Sequence, residues 1–426
     1  MTATDIHRTI EAVWRIESAR LIAGLARMVR DVGLAEELAQ DALVTALERW
    51  PQQGVPDNPG AWLMTAAKHR AIDLLRRNKL IERKHEALAY ELDGEADDAR
   101  SELDSMLDDD IGDDLLRLIF TACHPVLSAE ARAALTLRLL GGLSTDEIAR
   151  AFLVPEPTIS QRIVRAKRTL AQKRIPFEVP RGDERDERLA SVLEVIYLIF
   201  NEGYAATSGD DWIRPELCNE AMRLGRVLAS LAPMEPEVLG LLALMEIQAS
   251  RLRARTTPTG EPILLPDQDR SRWDPLLIRR GLEGLARIEA LRGAHGPYAL
   301  QAAIAACHAR ARTADATDWS RVATLYAELA QVQPSPVVEL NRAVAVSMAS
   351  GPAAALVLVD ALTDEPLLRN YHLLPSVRGD LLHRLERYAE ARDEFERAAS
   401  LARNLRERHL LQQRAAACAL AARSHF

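Results

Sequence analysis

Aromatic residues make up only 4% of this 426-residue chain, and β-branched residues are sparse. Both shortages argue against a sheet-rich fold. No apolar run approaches the roughly 20 residues that a membrane-spanning helix needs, and the polar residues after Met1 lack the apolar core of a secretory signal. A membrane protein is thereby excluded, and a cytoplasmic one is expected. Cysteine is rare as well: Cys123, Cys218, Cys307 and Cys418 stand singly. Without close Cys or His pairing there is no zinc-site pattern, so neither a metal nor a cofactor is expected, and the thiols read as small buried hydrophobes in a reducing compartment.

What is abundant is alanine, leucine, arginine and glutamate, which favours helix. Hydrophobic residues reach 48%, ample for globular cores, and the length predicts two or three domains. The formal net charge of -8 looks wrong for a nucleic-acid binder, yet the charge is segregated. Lys68 to Lys84 and Arg162 to Arg174 are strongly basic. Glu91 to Asp114 is densely acidic, with Arg100 its only basic residue.

The first helical module spans residues 10–82. Leu34, Leu38, Ala42, Ala46 and Trp50 fall four apart, giving Ala35 to Trp50 an apolar stripe opposite Glu37, Gln40, Asp41 and Glu48. Pro51, Gly54, Pro56, Pro59 and Gly60 predict a loop. Ala61 to Arg77 then resumes a helix with a basic exposed side. Trp50 and Trp62, at helical spacing, are expected in the core rather than as stacking platforms. Residues 83–110 are too charged to bury much apolar surface and are expected to form a linker.

A second helical module follows over residues 111–176. Within it Ser144 and Glu147 form the pattern of an N-terminal capping box. Leu153 to Glu156 predicts a short turn, and Pro157 suits the first position of the next helix. There Ile159, Ile163, Ala166 and Leu170 face inward, whereas Thr158, Ser160, Gln161, Arg162, Arg165 and Arg168 do not. Two short helices around a tight turn, the second with a polar and basic outer face, predict a helix-turn-helix.

Residues 182–426 are again helical, interrupted by a Pro-rich loop around Thr256 to Pro275. From about residue 318 a faint repeat of roughly 34 residues emerges. Val322, Ala355 and Ala391 recur at that period, as do Tyr326, Val359 and Phe395, with Pro334 and Pro366 closing two units. Stacked helical hairpins of this kind present a concave surface that binds proteins or peptides.

The order of these parts, over residues 10–175, resembles regions 2 and 4 of extracytoplasmic-function (ECF) sigma factors. The resemblance implies an all-α fold: two small helical sigma modules, the second a helix-turn-helix, joined by an acidic linker and followed by a tetratricopeptide-like domain. It implies RNA polymerase core as partner, through the β′ clamp helices and the β flap, together with promoter DNA. Glu37, Gln40 and Asp41 match the polymerase-docking face. Asn58, Lys68, His69, Arg70, Arg76 and Arg77 match the surface that reads the minus-ten element, the loop from Gln52 to Asn58 standing where an unstacked base is captured. His69 stands where family members often carry Asn, and Asp73 is expected to orient a neighbouring Arg. Thr158, Ser160, Gln161 and Arg162 match the reading end of the minus-thirty-five helix, with Arg165 and Arg168 toward the backbone. The acidic linker would thread the polymerase cleft.

The extension resembles that of a sigma subgroup bearing a tetratricopeptide-like domain, with Tyr197 to Thr207 and Leu264 to Pro275 as its signatures. Asn201, Glu202, Asp267, Asp269, Arg270 and Trp273 are candidates for a polar site or an interdomain contact, and a protein or small ligand is a candidate partner there. The function expected is binding, with regulation in cis by the extension and no catalytic residue. An enzyme using Asn201, Glu202, Asp267 and Asp269 lacks any ordered nucleophile, metal shell or phosphate loop. His124 beside Cys123 makes no dyad, since adjacent helical residues point about 100° apart. The other reading is a stand-alone helix-turn-helix regulator with a protein-interaction domain.

Overall fold

Asp31 opens the helix that carries the predicted apolar stripe, its side chain accepting the Leu34 N–H at 2.9 Å. This cap, a short side chain meeting an orphan donor, recurs at Ser128, Asp274, Asp318 and Ser335 in the computed structural model. The structure describes residues 3–86, 111–152, 154–206, 212–291 and 296–424, the side chains of 3–5, 78–86, 111–112 and 424 excepted. Among the described residues there are eighteen α-helices and no strand, only an isolated β-bridge between Thr256 and Pro262.

The chain divides into two compact units, Met1–Ile196 and Tyr197–Phe426. In the first, α1 (Ala3–Val29), α2 (Val32–Gln53) and α3 (Pro59–Glu86) pack on one another. α4 (Ile111–Ala122) lies on α1, and α5 (Ala129–Leu139), α6 (Thr145–Phe152) and α7 (Glu156–Gln172) follow. Two local expectations change. α2 continues through Pro51, because the fixed proline φ suits a helix and only one hydrogen bond is lost in a final turn. Gly54, at φ 84°, ends it instead, its N–H bonded to Trp50 O at 2.9 Å. α3 in turn runs past Arg77 to Glu86. The rest of the expected acidic linker, residues 87–110, lies outside the described residues.

α8 (Asp183–Tyr204) crosses the division between units. Its first half closes the first unit: Arg188 donates to Phe120 O at 3.0 Å and Ser191 Oγ to Cys123 O at 2.6 Å. Both carbonyls belong to the C-terminal end of α4, where helices leave acceptors unsatisfied.

The second unit holds α9 (Pro215–Leu231), α10 (Pro236–Ala249), α11 (Pro275–Ala290), α12 (Pro297–Arg310), α13 (Trp319–Val332), α14 (Pro336–Ser350), α15 (Pro352–Asp360), α16 (Leu373–Arg384), α17 (Tyr388–Leu401) and α18 (Leu405–Ser424). From α12 onward each helix packs on its neighbour in sequence. The recurring positions contribute: Val322, Ala355, Val359, Ala391 and Phe395 are all buried and Tyr326 is half-buried, so every second helix, α13, α15 and α17, turns equivalent residues inward. Gly203 matters where α8 meets α9, since a Cβ there would lie 2.7 Å from Cys218 N and 2.8 Å from Arg214 O.

Candidate nucleic-acid interface

On α2, Leu38, Ala42, Ala46 and Trp50 of the apolar stripe are buried and Leu34 is half-buried; Trp50 is core as expected, whereas Trp62, which it meets edge-on with ring centroids 5.4 Å apart, is half-buried. Glu37 and Asp41 are exposed and Gln40 half-buried. Asp41 is held by Arg70 at 3.2 Å, and Arg70 also donates to Thr45 Oγ1 at 3.0 Å. The expected polymerase-docking face and the expected minus-ten helix are thus braced together.

On α3, Lys68 is half-buried while His69, Arg70, Arg76 and Arg77 are exposed. Seven residues amount to about 20° less than two turns, so His69 with Arg76, and Arg70 with Arg77, form adjacent stripes on one side. Asn58 has a structural task that its expected DNA role did not include: its Oδ1 accepts the Ala61 N–H at 3.1 Å, capping α3. Asp73 is exposed and makes no ion pair found among the described residues.

The capping box forms as the spacing predicted. Ser144 N–H donates to Glu147 Oε2 at 2.8 Å and Glu147 N–H to Ser144 Oγ at 3.1 Å. Burial opposes ionisation of Glu147, but the Ser144 amide, the Arg15 guanidinium and the Ser144 hydroxyl outweigh it and hold the carboxyl below its usual value. Leu153, where the expected turn begins, lies outside the described residues; α7 begins at Glu156, so Pro157 takes the second position of the helix rather than the first.

Along α7, Ile159, Ile163, Ala166 and Leu170 are buried on a narrow arc. At about 100° per residue, Thr158, Gln161, Arg165 and Arg168 share an arc of about 80° on the opposite side. Gln161, Arg165 and Arg168 are exposed, and Thr158 and Arg162 half-buried. Ser160, although exposed, lies on the other flank, in line with Lys167. Two features of α7 escaped the reading of the sequence. Val164 is 60% exposed between these flanks, an apolar group on a polar helix face, which suits contact with a thymine methyl. Lys167, counted only as basic, turns toward α2 and meets Glu36.

The other candidates are occupied locally. Desolvation pushes the Cys123 thiol up to about 11, and burial beside Arg188 takes His124 down to about 4. His124 Nδ1 accepts the Val126 N–H at 3.0 Å, whereas Cys123 Sγ lies 3.4 Å from Thr136 Oγ1. In the second unit the buried Glu202 pairs with Arg214, and Asp269 caps a 3-10 turn through Ser271 N at 2.9 Å. Arg270 donates to His308 O at 2.5 Å and Ala311 O at 2.8 Å, with its guanidinium 4.8 Å from the buried Trp273 ring. Asn201 and Asp267 are exposed. These groups tie down the Pro-rich loop and the α8–α9 corner.

Among the described residues no group of three or more His, Cys, Asp or Glu could hold a metal ion, and no helix is long and apolar enough to cross a membrane.

Residues 16–81 match sigma-70 region 2, residues 117–170 match sigma-70 region 4, and residues 188–289 match a family of unknown function, DUF6596. The "Uncharacterized protein R00370" of Rhizobium meliloti (strain 1021) is 46% identical over 389 residues, covering 91% of this chain and 90% of its own length. The "Probable ECF RNA polymerase sigma factor SigI" of Mycobacterium tuberculosis is 28% identical over 179 residues, 42% of this chain and 60% of that protein. No solved structure matches significantly. The chain belongs to one family with the Rhizobium meliloti protein, and its sigma-70 regions 2 and 4 support a sigma factor for promoter recognition by RNA polymerase.

Proposed function

We propose that the chain is a sigma factor of the ECF kind that brings RNA polymerase core to two-element promoters and has no chemistry of its own. In this reading Glu37, Gln40 and Asp41 on α2 dock the β′ clamp helices, and region 4 meets the β flap. The α3 face of Lys68, His69, Arg70, Arg76 and Arg77, with the loop ending at Asn58, opens and reads the minus-ten element. Thr158, Gln161 and Arg162 read the minus-thirty-five duplex in the major groove, with Ser160 on the flank. Arg165 and Arg168 grip phosphates, which position a protein on DNA without selecting sequence.

One observation carries the reading: the second helix of the helix-turn-helix, α7, carries Gln161, Arg165 and Arg168 on one exposed stripe, in a chain whose preceding module matches region 2. The likeness to the Mycobacterium tuberculosis protein supports the ECF assignment. The buried recurrence of Val322, Ala355 and Ala391 supports a tetratricopeptide-like solenoid, which would regulate the sigma modules in cis and bind a protein or small ligand.

In vitro transcription tests this. Core polymerase with the full chain, on a promoter library, should give promoter-specific transcripts, and a chain ending at Ile196 should give them at an altered level. DNA binding without transcripts from either form would refute the sigma reading and favour a stand-alone regulator.

A further inference from the structure

The second unit returns on itself. Asn404, fully buried where α17 meets α18, donates from Nδ2 to Ala206 O at the α8–α9 corner at 3.4 Å, from 198 residues away. Arg406 pairs with Glu261 in the Pro-rich loop, and a Cβ on Gly260 would lie 3.7 Å from Arg406 Nη2. In an open solenoid each repeat touches only its neighbours. Here the last helices reach the first corner, so the inner side of the row is bounded rather than a free concave surface.

Tyr197, Arg251, His308, Tyr326 and Tyr371 gather on that inner side, each half-buried, so each borders space that solvent reaches. They come from separate elements and yet bear on one another. Burial raises the Tyr326 phenol to about 12, with Tyr197 adding and Arg251 opposing. Burial raises Tyr371 as well, with Glu407 and Tyr197 adding. Burial, with Arg251 and Arg270, takes His308 down to about 4. A tyrosine of α8 reaches α13 and the turn before α16 only across the inside of the curve.

The cations there lack carboxylates. Arg251, Arg255 and Arg270 form no ion pair among the described residues. Arg255 stacks on Tyr204, 3.5 Å from the ring centroid, and Arg270 is spent on the carbonyls that close α12. Arg251 Nη2 donates to Tyr204 Oη at 2.6 Å and to Gln248, which leaves its Nε and Nη1 without an acceptor among the described residues. The indole N–H of the buried Trp273, whose ring centroid lies 5.7 Å from the Arg251 guanidinium, has no partner among them either. Glu407, which bears on Tyr371, is engaged 2.9 Å from His372 Nε2. Donors left over in a half-buried space are a cost that an anionic acceptor removes.

We propose that the inner side of the second unit binds a small organic acid, its carboxylate held by the Arg251 fork and the Tyr326 hydroxyl and its apolar body against the rings of Tyr197 and Tyr371. One unspent guanidinium matches one carboxylate, which it can grip bidentately. The bounded space admits a small molecule and not a folded partner. The inference rests on the reading of the extension as a ligand-binding solenoid and names its ligand class.

Isothermal titration and tryptophan fluorescence of the full chain test it, with acetate, benzoate, phenylpropionate and indole-3-acetate as probes beside benzyl alcohol and inorganic phosphate. At least one acid should bind saturably with a Kd of about 1 mM or tighter, and the alcohol and phosphate should not. Arg251→Gln should weaken that binding by about tenfold or more, and Tyr326→Phe, which keeps the ring, by about three- to tenfold. Denaturation midpoints of both variants are measured alongside, and Tyr326→Phe decides the matter if the loss of Arg251 unfolds the unit. Saturable binding by none of the acids, equal binding of phosphate or benzyl alcohol, or unchanged affinity in Tyr326→Phe would each overturn the site. Equal competition by an acidic peptide of about ten residues would overturn it in favour of a peptide groove. No step uses polymerase, so the sigma reading stands or falls separately on its transcripts.

Discussion

Replacing Arg168 by alanine separates gripping DNA from reading it. Arg168 is exposed on α7 one turn beyond Arg165, on the stripe opposite the buried Ile159, Ile163, Ala166 and Leu170, so truncation leaves the helix packing untouched. If it neutralises one phosphate, the slope of log affinity against log salt should become shallower by about 0.9. A fourfold rise in salt changes the logarithm by about 0.6, so the variant should lose about 3.5-fold less affinity than the parent between roughly 50 and 200 mM salt. Discrimination among promoter sequences should stay the same. Gln161→Ala should do the opposite: salt slope unchanged, with roughly 1–3 kcal/mol of base preference lost at one position of the minus-thirty-five element. Competition binding of holoenzyme to duplex variants at several salt concentrations reads both quantities. An unchanged slope for Arg168→Ala, or altered discrimination with it, would refute the assignment of the α7 stripe.

Three further outcomes follow from the packing. A chain ending at residue 176 loses Arg188 and Ser191 from the carbonyls of Phe120 and Cys123, so it should unfold several kcal/mol more readily than one ending at Ile196; urea titration of both compares them directly. Gly203→Ala forces a methyl against the backbone of Arg214 and Cys218 and should destabilise the second unit by about 1–3 kcal/mol, read as a lowered denaturation midpoint; a midpoint unmoved would show that α8 and α9 do not approach so closely. Burial, with Arg251 and Arg270 nearby, takes His308 from 6.5 down to about 4. The unfolded chain then takes up a proton first, so the stability that neutral His308 contributes is complete above pH 6.5 and is lost as pH falls toward 4, by on the order of 2–3 kcal/mol. A His308→Gln chain should lack this part of the acid sensitivity, and equal pH profiles would count against it.

Much was legible in the sequence because local chemistry decided it. Ser144 and Glu147 cap a helix wherever three residues separate them, and the four-residue spacing from Leu34 to Trp50 buries one stripe against whatever partner is present. The inward set of α7, the core role of Trp50 and the repeat of Val322, Ala355 and Ala391 are of the same kind. Helix ends were less legible: Pro51 signals a break, yet a last turn tolerates it.

What only the tertiary structure decided is which charges meet. Glu36 is 102 residues from Arg138 and 131 from Lys167, and in the sequence it is one acidic residue beside the candidate docking set. No period links such positions, because their pairing depends on how α2, α5 and α7 come together rather than on any helix's own pattern. The same holds for Arg188 and Ser191, which close α4 from 68 residues away. Periodicity determines which side of a helix is buried; the fold alone determines what that side is buried against.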